Sequence, residues 1–243
     1  MSSIIIAGAT GAIGRELVVQ AVVSPHIIRV VALSRKELSQ DAWAKVFPDI
    51  DMAHAKQKLE VVAVDWERIT NSGVMNCTGE VVAALRGHTI AAMCMGTTRK
   101  DAGSDAAFER CDYDYVKAFA AAVKEASGST IRHYAQVSSD GANASSMFLY
   151  LRTKGKADEM AIQMGFPSTS IYRPGMLGRK EKARAGERFV MCCCCCLGVM
   201  PVEVVAEALL KVSLDAVRQD DTASPSPVVL ANAAIKRSCA IQL

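Results

Sequence analysis

The sequence predicts an α/β protein built on one doubly wound parallel sheet, with helices on both faces and a small C-terminal segment on the substrate side. Three observations predict it. Short apolar runs alternate with helical patterns along nearly the whole chain, which is the order of repeated β-α-β units. The run at residues 27–33 is apolar apart from Arg29, as expected of a parallel strand covered on both faces. Gly8, Arg35, Asp65, Gly96, Ser139 and Gly175 all fall at the carboxyl ends of expected strands, where such sheets bind ligands.

The elements follow in order. Residues 4–7 are the first expected strand and 11–23 the first helix, with Ile13, Leu17, Val18, Ala21 and Val22 on its apolar face. Residues 27–33 form the second strand, 36–58 a polar, partly helical insertion, and 59–64 a third strand ending at Asp65. A helix is expected over 74–86, ending near Gly87. The fourth strand covers 89–95, a polar loop 97–107, and a long alanine-rich helix 106–126. The fifth strand, 131–137, ends in Ser138-Ser139; a helix covers 147–164; the sixth strand, 169–172, precedes Pro174-Gly175. Residues 177–200 read as an irregular substrate-side loop region. Pro201 starts a helix over 202–217, residues 227–231 make a seventh strand, and 235–243 read as a flexible tail. At 243 residues the chain has room for one domain of this kind, so residues 1–243 are read as a single nucleotide-binding domain.

Composition excludes several classes. No stretch of about 20 uninterrupted apolar residues is present, so no membrane span is expected. Residues 1–7 carry no basic segment and the glycine loop begins at once, which leaves no room for a signal peptide; a cytoplasmic location is expected. In that setting the 9 cysteines stay reduced. The net charge of +3 comes from scattered basic residues with no aromatic interleaving, so nucleic acid is not an expected partner. His26, His54, His88 and His133 are dispersed, and Cys192 to Cys196 lack the spacing of a zinc site, so no metal is expected. The cysteine run reads as a low-complexity expansion in a tolerant loop.

Two motifs carry chemistry. Gly8-Ala9-Thr10-Gly11-Ala12-Ile13-Gly14 follows the first strand and opens the first helix. Glycines there let backbone approach a pyrophosphate, and the helix N-terminus offers free N–H donors and a positive dipole end. The spacing is G-x-x-G-x-x-G. Tyr150 and Lys154 stand four residues apart, so on a helix they share a face. An ammonium beside a phenol favours the phenolate, and such a tyrosine can pass a proton to or from an alcohol oxygen. Ser138 and Ser139 end the fifth strand, where a hydroxyl can bond a substrate oxygen or cap the next turn. Arg35 and Lys36 follow the second strand with no acid at its tip, and Arg15 follows Gly14; a basic residue there suits the 2′-phosphate of NADP. Asp65 reads either as a contact to the adenine edge or as a helix N-cap. Met95, Gly96 and Thr97 end the fourth strand beside the expected cofactor path, and Pro174 and Gly175 end the sixth, where backbone groups can hold a carboxamide.

With the glycine loop, the double serine and the Tyr–Lys pair in that order, the chain resembles the short-chain dehydrogenase/reductases, and its loop is similar to that of their atypical branch. Cys94-Met95-Gly96-Thr97-Thr98-Arg99, Asp112-Tyr113-Asp114-Tyr115-Val116, Ser138-Ser139-Asp140-Gly141-Ala142, Phe148-Leu149-Tyr150-Leu151, Lys154-Gly155 and Arg173-Pro174-Gly175 are similar to segments of the Tat-interacting-protein oxidoreductases. The resemblance implies a Rossmann-type fold that binds NADPH or NADP in preference to NAD. It implies that Tyr150 is the proton donor, Lys154 the cofactor-holding lysine, and Ser139, with Ser138 second, the carbonyl-polarising serine. It also implies that Ala12, Ile13 and Gly14 line the pyrophosphate and that Arg35 and Lys36 meet the 2′-phosphate. Met95 and Gly96 would meet the middle of the cofactor, and Leu177 would border the nicotinamide and the substrate. Two departures stand out: residues 187–200 are short and carry the cysteine run, and Asp112 stands near a position where many extended relatives place asparagine. The resulting expectation is an NADPH-dependent oxidoreductase acting on a small carbonyl or alcohol by a Ser-Tyr-Lys mechanism. The rival is an NADPH-binding regulator acting through protein partners. A protein partner or a homodimer is left open.

Overall fold

In a computed structural model, residues 1–178, 199–219 and 227–240 are described. Seven parallel strands form the sheet: β1 Ser2–Ala7, β2 Ile27–Ser34, β3 Leu59–Ala63, β4 Ile90–Met93, β5 His133–Val137, β6 Thr169–Arg173 and β9 Val228–Ala231. Their order is β3-β2-β1-β4-β5-β6-β9. Two short strands, β7 Leu177–Gly178 and β8 Met200–Pro201, pair separately. The winding reverses between β1 and β4, which opens a crevice beyond their carboxyl ends.

The continuous apolar runs have a direct cause. All six residues of β1 are buried. Ile4 and Ile6 face a core shared with α1 (Ala12–Val23) and the helix Val202–Arg218. Ile5 and Ala7 face a second core shared with α8 (Tyr115–Ser127) and α9 (Leu149–Gln163). With apolar cover on both faces, the stretch from Ile4 to Ala7 has no polar alternation.

Four expectations change. The helix expected over 74–86 is two pieces, a 3-10 turn Val74–Asn76 and α5 Gly79–Ala84, and a helix not expected, α4 Trp66–Ser72, precedes them. Gly73, at φ 76, separates α4 from the turn. The loop expected over 97–107 holds α6 Arg99–Ala102, capped by the Thr98 hydroxyl, and α7 Asp105–Glu109, capped by Ser104. The long helix expected from residue 106 is interrupted by a π turn, Arg110–Asp114, before α8. The tail expected from residue 235 is instead helix Asn232–Ala240, with Ile235 fully buried in the first core. One large aliphatic residue among small and polar ones is a weak periodic signal, and only packing beside Val202–Arg218 makes it an anchor. The insertion is partly helical as expected, in α2 Gln40–Val46 and α3 Met52–Lys58. The cysteine run and most of the expected substrate-side loop lie outside the described residues, as do residues 241–243. Among the described residues no helix is long and apolar enough to cross a membrane, and no cluster of metal-ligating side chains occurs.

Candidate functional site

The glycine loop packs backbone on backbone. Gly8 has φ +74, and a Cβ there would lie 2.5 Å from the Met95 nitrogen at the end of β4. A Cβ on Gly14 would lie 2.2 Å from the Gly8 carbonyl oxygen, and that oxygen accepts the Gly11 N–H at 2.9 Å. Gly11 is the N-cap of α1, and among the described residues no side chain caps this helix end. Backbone donors at such an end suit an anion. Ala12 is half-buried and Ile13 belongs to the core, so these residues can offer a ligand their backbone rather than their side chains. The Arg15 Nε beside them is buried with no hydrogen-bond partner among the described residues.

The loop opens on a cavity of about 400 Å³ bounded by Gly8, Thr10, Gly11, Arg35, Met95, Gly96 and Thr97. Its far wall is aromatic. Trp66 and Tyr115 stack with ring centroids 6.4 Å apart, and both line the cavity. The Tyr115 hydroxyl donates to Glu67 at 2.5 Å, and Glu67 pairs with Arg110 at 2.6 Å. The Arg110 and Tyr115 hydrogen bonds hold the exposed Glu67 carboxyl down at about 2. Arg35 is exposed on the cavity rim, and Lys36, also exposed, gives its carbonyl to the Ser34 hydroxyl. Asp65 takes the second of its two expected roles: its carboxylate accepts the Arg68 N–H at 3.1 Å and caps α4. Trp66, one residue on, occupies the wall expected of Asp65. The sequence signal for Trp66 was its place just past β3; Tyr115 lies too far along the chain to have given one. Cys94 and Cys111 also line the cavity, but burial pushes their thiols up to about 12 and about 11, away from thiolate chemistry. A larger concavity, about 600 Å³, lies between α7, the π turn and α9, and holds none of the expected site residues.

Across the crevice, α9 carries Tyr150 and Lys154 on one face as the spacing predicts. The Tyr150 ring stacks on Phe108 with centroids 5.7 Å apart, and Tyr150 is 40% exposed. Lys154 is buried, and its Nζ lies 2.8 Å from the Asp112 Oδ1. The other Asp112 oxygen accepts the Thr97 N–H at 2.9 Å. The carboxylate stands on the π turn, and its donors come from the loop after β4 and from α9. Gly96 leaves room for the pair, since a Cβ there would lie 3.1 Å from Lys154 Nζ. Burial opposes the charged lysine, but the Asp112 carboxylate outweighs it and raises the Lys154 pKa. Sequence reasoning noted Asp112 as a departure without finding this role.

The two serines separate. Ser138 is buried, and its hydroxyl donates to Asp158 at 2.9 Å, so it is not the free polarising hydroxyl offered as second choice. Ser139 is half-buried; its hydroxyl donates to the Asp140 carbonyl at 3.2 Å. The expected carboxamide contacts are also otherwise engaged. The Gly175 N–H donates to the Asn232 side chain at 2.9 Å, and the Pro174 carbonyl accepts the Asp140 N–H at 2.9 Å. Asn232 lies between the seventh expected strand and the expected tail, in a stretch with no sequence signal for a partner of Gly175. Leu177 sits in β7, half-buried and paired with Met200.

No protein-family model matches the chain. Among curated proteins it is similar to Protein HTATIP2 of Rattus norvegicus, 31% identical over 188 residues, 76% of this chain and 67% of that protein. It is similar to Protein FMP52, mitochondrial, of Candida albicans, at 35% over 184 residues, 74% of this chain and 70% of that one. The FMP52 protein of Debaryomyces hansenii is 32% identical over 238 residues, covering 95% and 94%. Among solved structures, a short-chain dehydrogenase/reductase of Saccharomyces cerevisiae shares the fold with TM-score 0.65 at 13% identity, covering 95% of this chain and 96% of that one. The reductase domain of a Mycobacterium tuberculosis nonribosomal peptide synthetase gives 0.66 at 16%, covering 95% and 66%. The relatives correct one expectation: the FMP52 proteins are named mitochondrial, which points to mitochondria rather than the cytoplasm.

Proposed function

The chain belongs to the family of Protein HTATIP2 and Protein FMP52, and from that premise we propose that it is an NADPH-dependent reductase of carbonyl compounds. An oxidoreductase-type fold of the short-chain dehydrogenase/reductase kind is common ground with the solved neighbours. The observation that carries the finer reading is the buried Lys154–Asp112 pair, one helical turn from the exposed Tyr150 and beside the end of β4.

The residues fit a dinucleotide. Gly8 and Gly14 let the loop pack backbone on backbone against β4 and α1, which leaves the N-terminus of α1 open with no side-chain cap, and the Arg15 Nε beside it lacks a partner among the described residues. The uncapped α1 terminus would take the pyrophosphate, Arg35 and Lys36 the 2′-phosphate, and Trp66 and Tyr115 the flat base. When bound, NADPH supplies a hydride to the carbonyl carbon. Tyr150 Oη then gives a proton to the carbonyl oxygen as it gains charge. Lys154 keeps its positive charge beside Tyr150, held there by Asp112, and favours the tyrosinate left behind. Ser139 donates a hydrogen bond to the same oxygen and orients it.

The test is NADPH and NADH oxidation by purified protein against a panel of ketones, aldehydes and quinones, with Tyr150→Phe in parallel. Turnover should fall by about 10²–10⁴ in the variant with cofactor affinity nearly unchanged. Turnover retained in Tyr150→Phe would overturn the assignment. NADPH binding with no turnover on any carbonyl would favour the regulator. The mitochondrial names of the FMP52 relatives make that organelle the compartment in which to look for substrates.

A further inference from the structure

The roles above leave one buried carboxylate beside the site unused. Asp158 follows Tyr150 and Lys154 on α9 at the same spacing of four, so all three lie along one face of the helix. It is 1% exposed. Its Oδ1 accepts from the Gln136 amide at 3.1 Å, and its Oδ2 accepts from the Ser138 hydroxyl at 2.9 Å and from Arg173 Nε at 2.9 Å. Arg173 Nη2 lies 2.9 Å from the same oxygen. These donors stand at the carboxyl ends of β5 and β6.

We infer that Asp158 is a positioning residue: it clamps α9, and with it Tyr150, against the strand ends that present Ser139, and so sets the spacing of the two hydroxyls. The inference rests on the reductase reading for the meaning of that spacing.

Ser139 is bracketed by the clamp. On one side the Ser138 hydroxyl is tied to Asp158, and its N–H donates to the Tyr172 carbonyl at 2.7 Å. On the other side the Asp140 N–H is tied to Pro174, the residue after Arg173. A second lock acts three residues before Asp158. Gly155 packs so closely on the loop after Ser139 that a Cβ would lie 2.2 Å from both the Asn143 carbonyl carbon and the Ala144 nitrogen. In the same place the Asn143 N–H donates to the Leu151 carbonyl at 3.0 Å. The loop bearing Ser139 is thus pinned to α9 at two heights. Burial raises the Asp158 pKa while the Ser138 and Arg173 hydrogen bonds oppose it, so the carboxylate depends on its donors. A carboxylate that gathers donors from two strands onto one helix constrains relative position, which a plain apolar contact does not.

The test compares Asp158→Asn, which keeps shape and one acceptor oxygen, with Ser138→Ala, which removes one donor and leaves Arg173 paired. Steady-state kinetics, NADPH binding and amide hydrogen exchange are measured on the folded fraction. Asp158→Asn should lower kcat by about 10- to 100-fold, as expected of a small misplacement, with KM and NADPH affinity little changed. Ser138→Ala should change kcat in the same direction by less, and Asp158→Glu should recover part of the loss. Exchange should quicken at residues 138–143 and in the first turn of α9 but not in β1 or α1. Wild-type kcat in Asp158→Asn, or loss of NADPH affinity in step with kcat, would overturn the positioning role. If the wild-type protein turns over no carbonyl, the reductase reading fails, and exchange alone decides: loosening confined to those residues supports the clamp, and its absence overturns it.

Discussion

The two sides of the crevice are built from different material. The side made by β1, α1 and β4 is backbone on backbone: a Cβ at Gly8 or Gly14 would stand within 2.5 Å of main-chain atoms. The side made by the π turn, α9 and the ends of β5 and β6 is held by charged side chains, buried Asp112 on buried Lys154 and buried Asp158 on half-buried Arg173. The first is shaped by leaving atoms out, the second by supplying groups that must each find a partner. Damage should therefore differ in kind, with steric disruption and weaker cofactor binding on the first side, and loss of stability and turnover on the second.

The sharpest test of this difference is Asp112→Ala. Removing one partner of a buried ion pair leaves the other charge uncompensated and costs about 3–5 kcal/mol. Urea denaturation should show a loss of that size, and turnover should fall with it because Lys154 is freed. A loss under about 1 kcal/mol, as for exposed pairs, would show that water reaches the pair and would erase the contrast.

At the amino ends of the strands, beneath each half of the sheet, lies one buried histidine. His88, before β4, contacts Ser3 at 2.8 Å, and His133, the first residue of β5, contacts Ser168 and Ser170, both at 2.9 Å. Burial pulls both down to about 4 from 6.5. Unfolded, each binds a proton near pH 6.5; folded, only near pH 4. The unfolded chain then holds more protons in between, so the stability is complete above pH 6.5 and is lost as pH falls towards 4. The shift corresponds to about 3 kcal/mol per histidine. His88→Gln and His133→Gln should each flatten the slope of stability against pH in that window, and a variant that keeps the wild-type slope would show that its histidine is not held neutral by burial.

Gly14→Ala tests the first side alone. Its Cβ meets backbone that has no rotamer to yield, so overpacking should cost about 1–3 kcal/mol. Calorimetry should also show weaker NADPH binding, whereas unchanged affinity would mean that the glycine loop does not hold the pyrophosphate. The smallest effect is expected at the rim. Arg35→Glu should narrow the preference for NADPH over NADH by about tenfold, or 1.4 kcal/mol. An unchanged ratio would place the 2′-phosphate elsewhere.

The same contrast explains what could be read from the chain. Gly8, Gly11 and Gly14 lie within one turn and stand next to the strand they serve, so their spacing carries their meaning. The Tyr150–Lys154 pair is also local, one helical turn apart. Asp112 and Asp158 are ordinary acids in helical sequence, and nothing near either announces a buried partner. Asp65 shows the converse: it has a position that suits a ligand, yet its nearest donor, the Arg68 N–H, claims it as a cap. Gly175 was misread because its partner, Asn232, is far along the chain.

What the order of residues settles is periodic or local: the run of strands and helices, the glycine turn, and one face of α9. These depend on neighbours a few residues apart, whose geometry a helix or strand fixes in advance. What the folded chain decides is which charge meets which, which serine is tied to a buried carboxylate, and that the C-terminal segment becomes a helix anchored by Ile235. Those outcomes follow from burial, because a charge or hydroxyl removed from water must take whatever partner the packing of distant elements brings within reach.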